Sequence, residues 1–230
     1  MITLSYTTIN ELINEPHTWL CKQMGLKRWT TTQMNEGKEA HRIIQQHLSG
    51  KQFDERLAGI TVRFPIVEEG DRDERTHFVV KIDDEYSVHG YLDAKDPENK
   101  RLGEIKTSST PWTLGKFYQL TQWKIYALSG DYTEAVFITG TRDLKRMAVY
   151  KTAITEKHKQ EAVAWIKKGI SIIEAGDFSY TGNGRSRWCN YIGCPFCGWL
   201  LLSLAGLAHH RYTSQDQERL QVKNQKLPTW

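Results

Sequence analysis

The chain has 230 residues, 39% of them apolar and 25% charged, with a formal net charge of +4 and a pI near 8.8. That is an ordinary globular composition, long enough for one sizeable core, and it excludes neither an enzyme nor a binding module. The mild basicity permits a nucleic-acid partner without requiring one, and eight tryptophans supply surfaces that can bury or stack.

The opening stretch, MITLSYTTINELINEPHTW, lacks the basic start and long apolar core of a secretory leader. The most apolar run, Gly198 to Ala208, is far shorter than the roughly 20 residues of a membrane helix. The expectation is a cytoplasmic protein (host cytoplasm for a viral one) with no membrane partner. In such a reducing compartment cysteines more often bind metals than form disulfides.

Residues 1–31 read as largely helical, with Ile13, Leu20 and Met24 as core contacts. A helix follows over about 34–48, because Ala40, Ile43, Ile44 and Leu48 recur at helical spacing; Thr32 or Asn35 would cap it and Gly50 would end it. His41 lies beside that stripe. Strand-like runs come next at 60–68, 76–83 and 86–94, with Pro65 marking the first as an edge or bulged strand and Asp83-Asp84 turning a hairpin. A fourth strand, 101–107, leads to a helix over 112–129. Strands at 134–140 and 146–154 precede a helix that Thr155 caps and Gly176 ends. This order predicts an α/β protein (mixed α+β), with one central mixed sheet flanked by helices.

The core of one domain, 1–230, would span about 34–175, with cysteine-bearing ends at 1–33 and 176–210 and a polar tail at 211–230. Within it, Gly90 to Tyr126 carries the chemistry. Asp93 ends a strand-like run, and Glu104 and Lys106 share one strand face while Ile105 points the other way. Two carboxylates and an amine at a sheet edge suit metal-assisted attack of water on a phosphodiester.

Four pieces in order resemble the PD-(D/E)XK nuclease superfamily, in its RecB-like branch, which includes RecB-like CRISPR-associated nucleases and the AddB nuclease domain. They are Gly37-x3-His41, Gly90-Tyr91-Leu92-Asp93, Glu104-Ile105-Lys106 and the Q-x3-Y motif Gln122 to Tyr126, covering about residues 37–126. Leu92 stands where the superfamily name has proline. The resemblance implies a restriction-endonuclease-like core. It also implies Mn²⁺ or Mg²⁺ held by His41, Asp93, Glu104 and the Ile105 carbonyl, the imidazole favouring Mn²⁺. Lys106 would orient the attacking water or stabilise the transition state. On one continuous helix, Gln119, Gln122 and Tyr126 would share a face that reaches phosphates or steadies Lys106.

The four cysteines fall as Cys21 and then Cys189-x4-Cys194-x2-Cys197. Members of this branch tie their two ends together with a [4Fe–4S] cluster on one N-terminal and three C-terminal cysteines, spaced C-x2-C-x5-C downstream. The resemblance favours the cluster, and the different spacing here keeps Zn²⁺ as the alternative. Arg185, Arg187 and Trp188, with Tyr191, would contact DNA by charge and stacking. The implied activity is a metal-dependent DNA exonuclease preferring single strands or duplex ends, in recombination, repair, phage or CRISPR-related processing. A helicase, recombinase or CRISPR adaptation protein would be its partner, and self-association stays open. The alternatives are a catalytically inactive DNA-binding module and a metal-cluster scaffold.

Overall fold

The computed structural model describes residues 1–23, 25, 31–70 and 73–178. Met24, Arg185, Arg187, Trp188, Tyr191, Cys189, Cys194 and Cys197 lie outside those residues. The elements in order are β1 (Ile2–Ser5), α1 (Tyr6–Asn14), α2 (Pro16–Gln23), α3 (Thr32–Leu48), β2 (Ile66–Val67), β3 (His77–Lys81) and β4 (Tyr86–Tyr91). They continue with β5 (Ala94–Asp96), β6 (Arg101–Ser108), α4 (Leu114–Gln119), α5 (Gln122–Tyr126), β7 (Glu134–Thr141), β8 (Met147–Ala153) and α6 (Glu156–Ala175).

Two mixed sheets form where one was expected: β1-β4-β3, and β2-β5-β6-β7-β8. β1 runs parallel to β4 and β6 parallel to β7, while the other pairs are antiparallel. The division falls inside the run read as a single strand over 86–94. The chain leaves the first sheet after Tyr91 and enters the second at Ala94. Leu92 N–H still donates to the Thr76 carbonyl at 3.0 Å, in register with β3–β4, whereas the Asp93 carbonyl accepts from Glu68 N–H at 3.0 Å, in register with β2–β5, so the change of sheet falls between these two residues.

Alternation along β6 and β7 separates the core into two halves. Ile105, Val136 and Ile138 meet Ala40, Ile44 and Leu48 of α3 on one face. Leu102, Ala135 and Phe137 face the other way, toward Phe117, Trp123, the three-stranded sheet and Ile166 of α6. Each buried side chain of this size contributes roughly 1.5–3 kcal/mol relative to exposure; one face holds α3 directly, and the other packs α5 and α1, on which α6 lies.

Several local expectations change. The N-terminal segment opens with a strand, β1, before its helices, and Ile9 and Leu12 of α1 and Cys21 of α2 are fully buried. Thr31, not Thr32 or Asn35, caps α3, its hydroxyl accepting from Met34 N–H at 3.2 Å. After Pro65 only Ile66–Val67 pair, at the edge of the larger sheet. The helix expected over 112–129 breaks at Leu120–Thr121, where Leu120 is extended (ψ 120°). There the buried Trp123 Nε1–H donates to the Phe117 carbonyl at 2.7 Å, beside the Leu120 N–H that donates to it at 3.0 Å. α6 is as read, with Thr155 at its start and Gly176 in the left-handed conformation (φ +63°) at its end. No helix among the described residues is long and apolar enough to cross a membrane.

Candidate active site

Close backbone approach brings the site together. Gly37, one turn before His41, lets α3 lie against β6, where the Thr107 hydroxyl donates to the Gly37 carbonyl at 3.1 Å. A methyl at Gly37 would stand 3.4 Å from that same hydroxyl. Gly90 pairs with Phe78 across β3 and β4, and a Cβ there would meet the Phe78 ring at 2.9 and 3.0 Å. The bare backbone admits the ring, which then stands edge-on to Tyr126 at 5.5 Å.

Asp93, at the crossing between sheets, is 7% exposed. Its Oδ2 accepts from Ile105 N–H at 2.7 Å, and His41 Nε2 lies 3.6 Å from its Oδ1. The Glu68 carboxylate reaches the same place. His41, Glu68 and Asp93 each present a ligand atom, all within 4.8 Å of one another. Gln45, one turn after His41, donates to Glu68 at 3.4 Å. Glu104 is wholly buried on β6, paired with the Lys106 ammonium, and neither of its oxygens has another donor among the described residues. Lys106 Nζ also donates to Gln122 Oε1 at 2.9 Å, and Gln122 Nε2 donates to the Tyr126 hydroxyl.

The protonation states follow from burial and neighbours. Burial, assisted by Lys106 and opposed by Glu104, lowers His41 to about 4, so its imidazole is neutral and can offer a lone pair. Burial raises Glu104 to about 7; Lys106 opposes that shift and Asp93 adds to it. Asp93 is raised for the same leading reason, against Lys106 and the Ile105 N–H. Burial alone would lower Lys106, but Glu104 and Asp93 more than offset it, and the ammonium is kept protonated. Tyr126 is pushed well up, by burial and then by the two carboxylates.

Three carboxylates therefore stand against one ammonium and a neutral imidazole. A carboxylate buried without donors is costly, and this donor set has the surplus of negative charge and the oxygen and nitrogen ligands that a small divalent cation takes. The residues fit such an ion.

Of the residues picked from sequence, His41, Asp93, Glu104, Ile105, Lys106, Gln122 and Tyr126 come together. Gln119 does not. It is exposed on α4, beyond the helix break, and outside the chain of bonds from Lys106 to Tyr126. Cys21 is buried on α2. Glu68 was missed because it is followed by Glu69 in an acidic turn, and only the backbone bond to Asp93 separates the two. Tyr6 was missed as well. It stacks on Trp165 at 5.5 Å, and its hydroxyl is raised by burial, with Lys106 and Glu104 acting on it in opposite directions.

No protein-family model matches the sequence, and no curated protein matches it. Among solved structures, the alkaline exonuclease LHK-Exo from Laribacter hongkongensis superposes with a TM-score of 0.48 at 11% identity, over 90% of this chain and 95% of that one. A phage-related exonuclease from Haemophilus somnus 129PT gives 0.38 at 13% identity, over 76% and 96%. The crystal structure of SSO0001 gives 0.53 at 17% identity, over 81% of this chain and 82% of that chain, a likeness that shows a shared fold.

Proposed function

We propose that this chain is a divalent-metal-dependent deoxyribonuclease of the PD-(D/E)XK type, in the RecB-like branch. The observation that supports it is the convergence of Asp93, Glu68 and a neutral His41, with the buried Glu104 carboxylate nearby and paired to a clamped Lys106 ammonium. Asp93, Glu104, Glu68 and His41 would hold Mn²⁺ or Mg²⁺, with the Ile105 carbonyl as a further donor. Such an ion supplies a bound water of lowered pKa and neutralises charge growing on the phosphate.

The protein's own part is positional and electrostatic. The Ile105 N–H fixes one Asp93 oxygen and leaves the other toward His41. Lys106 stays a cation, which suits it to stabilising charge on the phosphoryl oxygens or orienting the attacking water rather than to removing a proton. Gln122, itself held by Tyr126, fixes where that ammonium points. Action on single strands or duplex ends as an exonuclease rests on the sequence resemblance. So do a helicase, recombinase or CRISPR adaptation partner, and a [4Fe–4S] cluster or Zn²⁺ at Cys21 and its downstream partners.

The test is cleavage of end-labelled single- and double-stranded DNA with Mn²⁺, Mg²⁺ or a chelator. Lys106→Ala should lower the rate roughly 100- to 1,000-fold while leaving DNA binding in place. Cleavage that survives this substitution, or that a chelator does not stop, overturns the reading.

A further inference from the structure

Two grooves meet at one arginine. The cleft holding His41 and Lys106, about 910 Å³, runs between α3 and the carboxyl end of β6 as far as Arg142. A second groove of about 670 Å³ shares Arg142 and follows the β7–β8 turn, past Ser109 and Glu36. That turn carries Arg142, Lys145 and Arg146.

The turn is fixed from within. Leu144 takes the left-handed conformation at φ +60°, unfavourable for a bulky residue, and is held there with its side chain 1% exposed in the core under α3. Thr141 N–H donates to the Arg146 carbonyl at 3.0 Å. The Asp143 carboxylate serves the turn, accepting from the Thr141 hydroxyl at 2.5 Å and from Lys145 N–H at 3.2 Å. Arg146 donates to the Ser109 carbonyl at 3.3 Å. Arg142 and Lys145 make no ion pair among the described residues, and Glu36 is the other acid lining the groove.

Cations displayed on a rigid turn, the first at the mouth of the catalytic cleft, match the charge of a phosphodiester backbone. We propose that the β7–β8 turn is a backbone-phosphate track for the substrate strand, with Arg142 on the first phosphate outside the cleft and Lys145 and Arg146 on those that follow. The proposal rests on the nuclease reading. It adds where the uncut part of a single DNA strand lies, and it makes that contact independent of base sequence.

The experiment measures binding of fluorescein-labelled oligothymidylate, about 16 nucleotides long, to the full chain carrying Lys106→Ala, across a range of salt. Each phosphate contact on a single strand contributes roughly −0.7 to the slope of log affinity against log salt. Adding Arg142→Gln, Lys145→Gln and Arg146→Gln should make the slope shallower by roughly 2, and the exposed pair Lys145→Gln with Arg146→Gln by roughly 1.4. Arg142→Lys should keep the parent slope, and unfolding midpoints equal to the parent's show that the fold is kept. An unchanged slope in both charge-removing variants overturns the track alone, provided that the chain with Lys106 intact cleaves DNA. A Lys106→Ala parent that does not bind DNA, together with a wild-type chain that does not cleave it, overturns the nuclease reading and the track with it.

Discussion

Burying a carboxylate without donors costs several kcal/mol unless it takes up a proton or meets a cation. Glu104 meets one, Lys106, and Lys106 is shared with Gln122, so the ammonium balances only part of the charge around it. Glu68 is the residue that tips this balance. Without it, His41 and Asp93 present two ligand atoms; with it, three converge. Glu68→Gln keeps the shape and removes the charge. Titration calorimetry with Mn²⁺ should show affinity about tenfold weaker or worse. Equal affinity in the variant would remove Glu68 from the site. Glu104 and Lys106 were legible in sequence because strand alternation alone puts them on one face, and Asp93 was picked by its motif, Gly90-Tyr91-Leu92-Asp93. Glu68 was not, because its role depends on a bond to a residue 25 positions later, and no local period records that.

At the scale of elements, what was legible was what repeats locally. Ala40, Ile44 and Leu48 mark the buried side of α3, and the Asp83 carboxylate closes the β3–β4 turn by accepting from Glu85 and Tyr86 N–H. What escaped was decided by distant partners. β1 is four residues long and among the described residues pairs only with β4, and the break after α4 follows the Trp123 indole, with no proline or glycine to announce it. The run through Asp93 keeps one period while changing sheets, so the junction that places the carboxylate was invisible. Gly90 gives this junction a testable support. Gly90→Ala drives a methyl into the Phe78 ring, an overpacking that costs about 1–3 kcal/mol in denaturant unfolding. Phe78→Leu in the same chain should recover part of that loss, giving a favourable coupling energy in the double-mutant cycle. If the two losses simply add, the ring contact is not what requires glycine.

Across the whole molecule, metal binding and folding share the same groups, and pH reports on both. In the metal-free protein two opposed effects overlap. His41 is lowered to about 4 by burial and by Lys106, so the unfolded chain binds the extra proton between about pH 4 and 6.5, and stability from this residue rises with pH across that window. Glu104 is raised to about 7 by burial, Lys106 opposing and Asp93 adding, so the native state binds the extra proton between about pH 4.5 and 7, and stability from it falls with pH. Each effect is on the order of 3 kcal/mol, and in the wild type they largely cancel. Substitution separates them. Relative to wild type, Glu104→Gln should gain stability on going from pH 5 to pH 8, whereas His41→Gln should lose between pH 4 and pH 7 the advantage it holds at acid pH. Saturating Mn²⁺ needs the imidazole neutral and the carboxylates ionised, so the stability it adds should grow with pH and level off above about 7. Urea unfolding with chelator and with Mn²⁺, across this range, checks all three curves. Parallel pH profiles for wild type and both variants would mean that neither group is held in the protonation state its burial imposes.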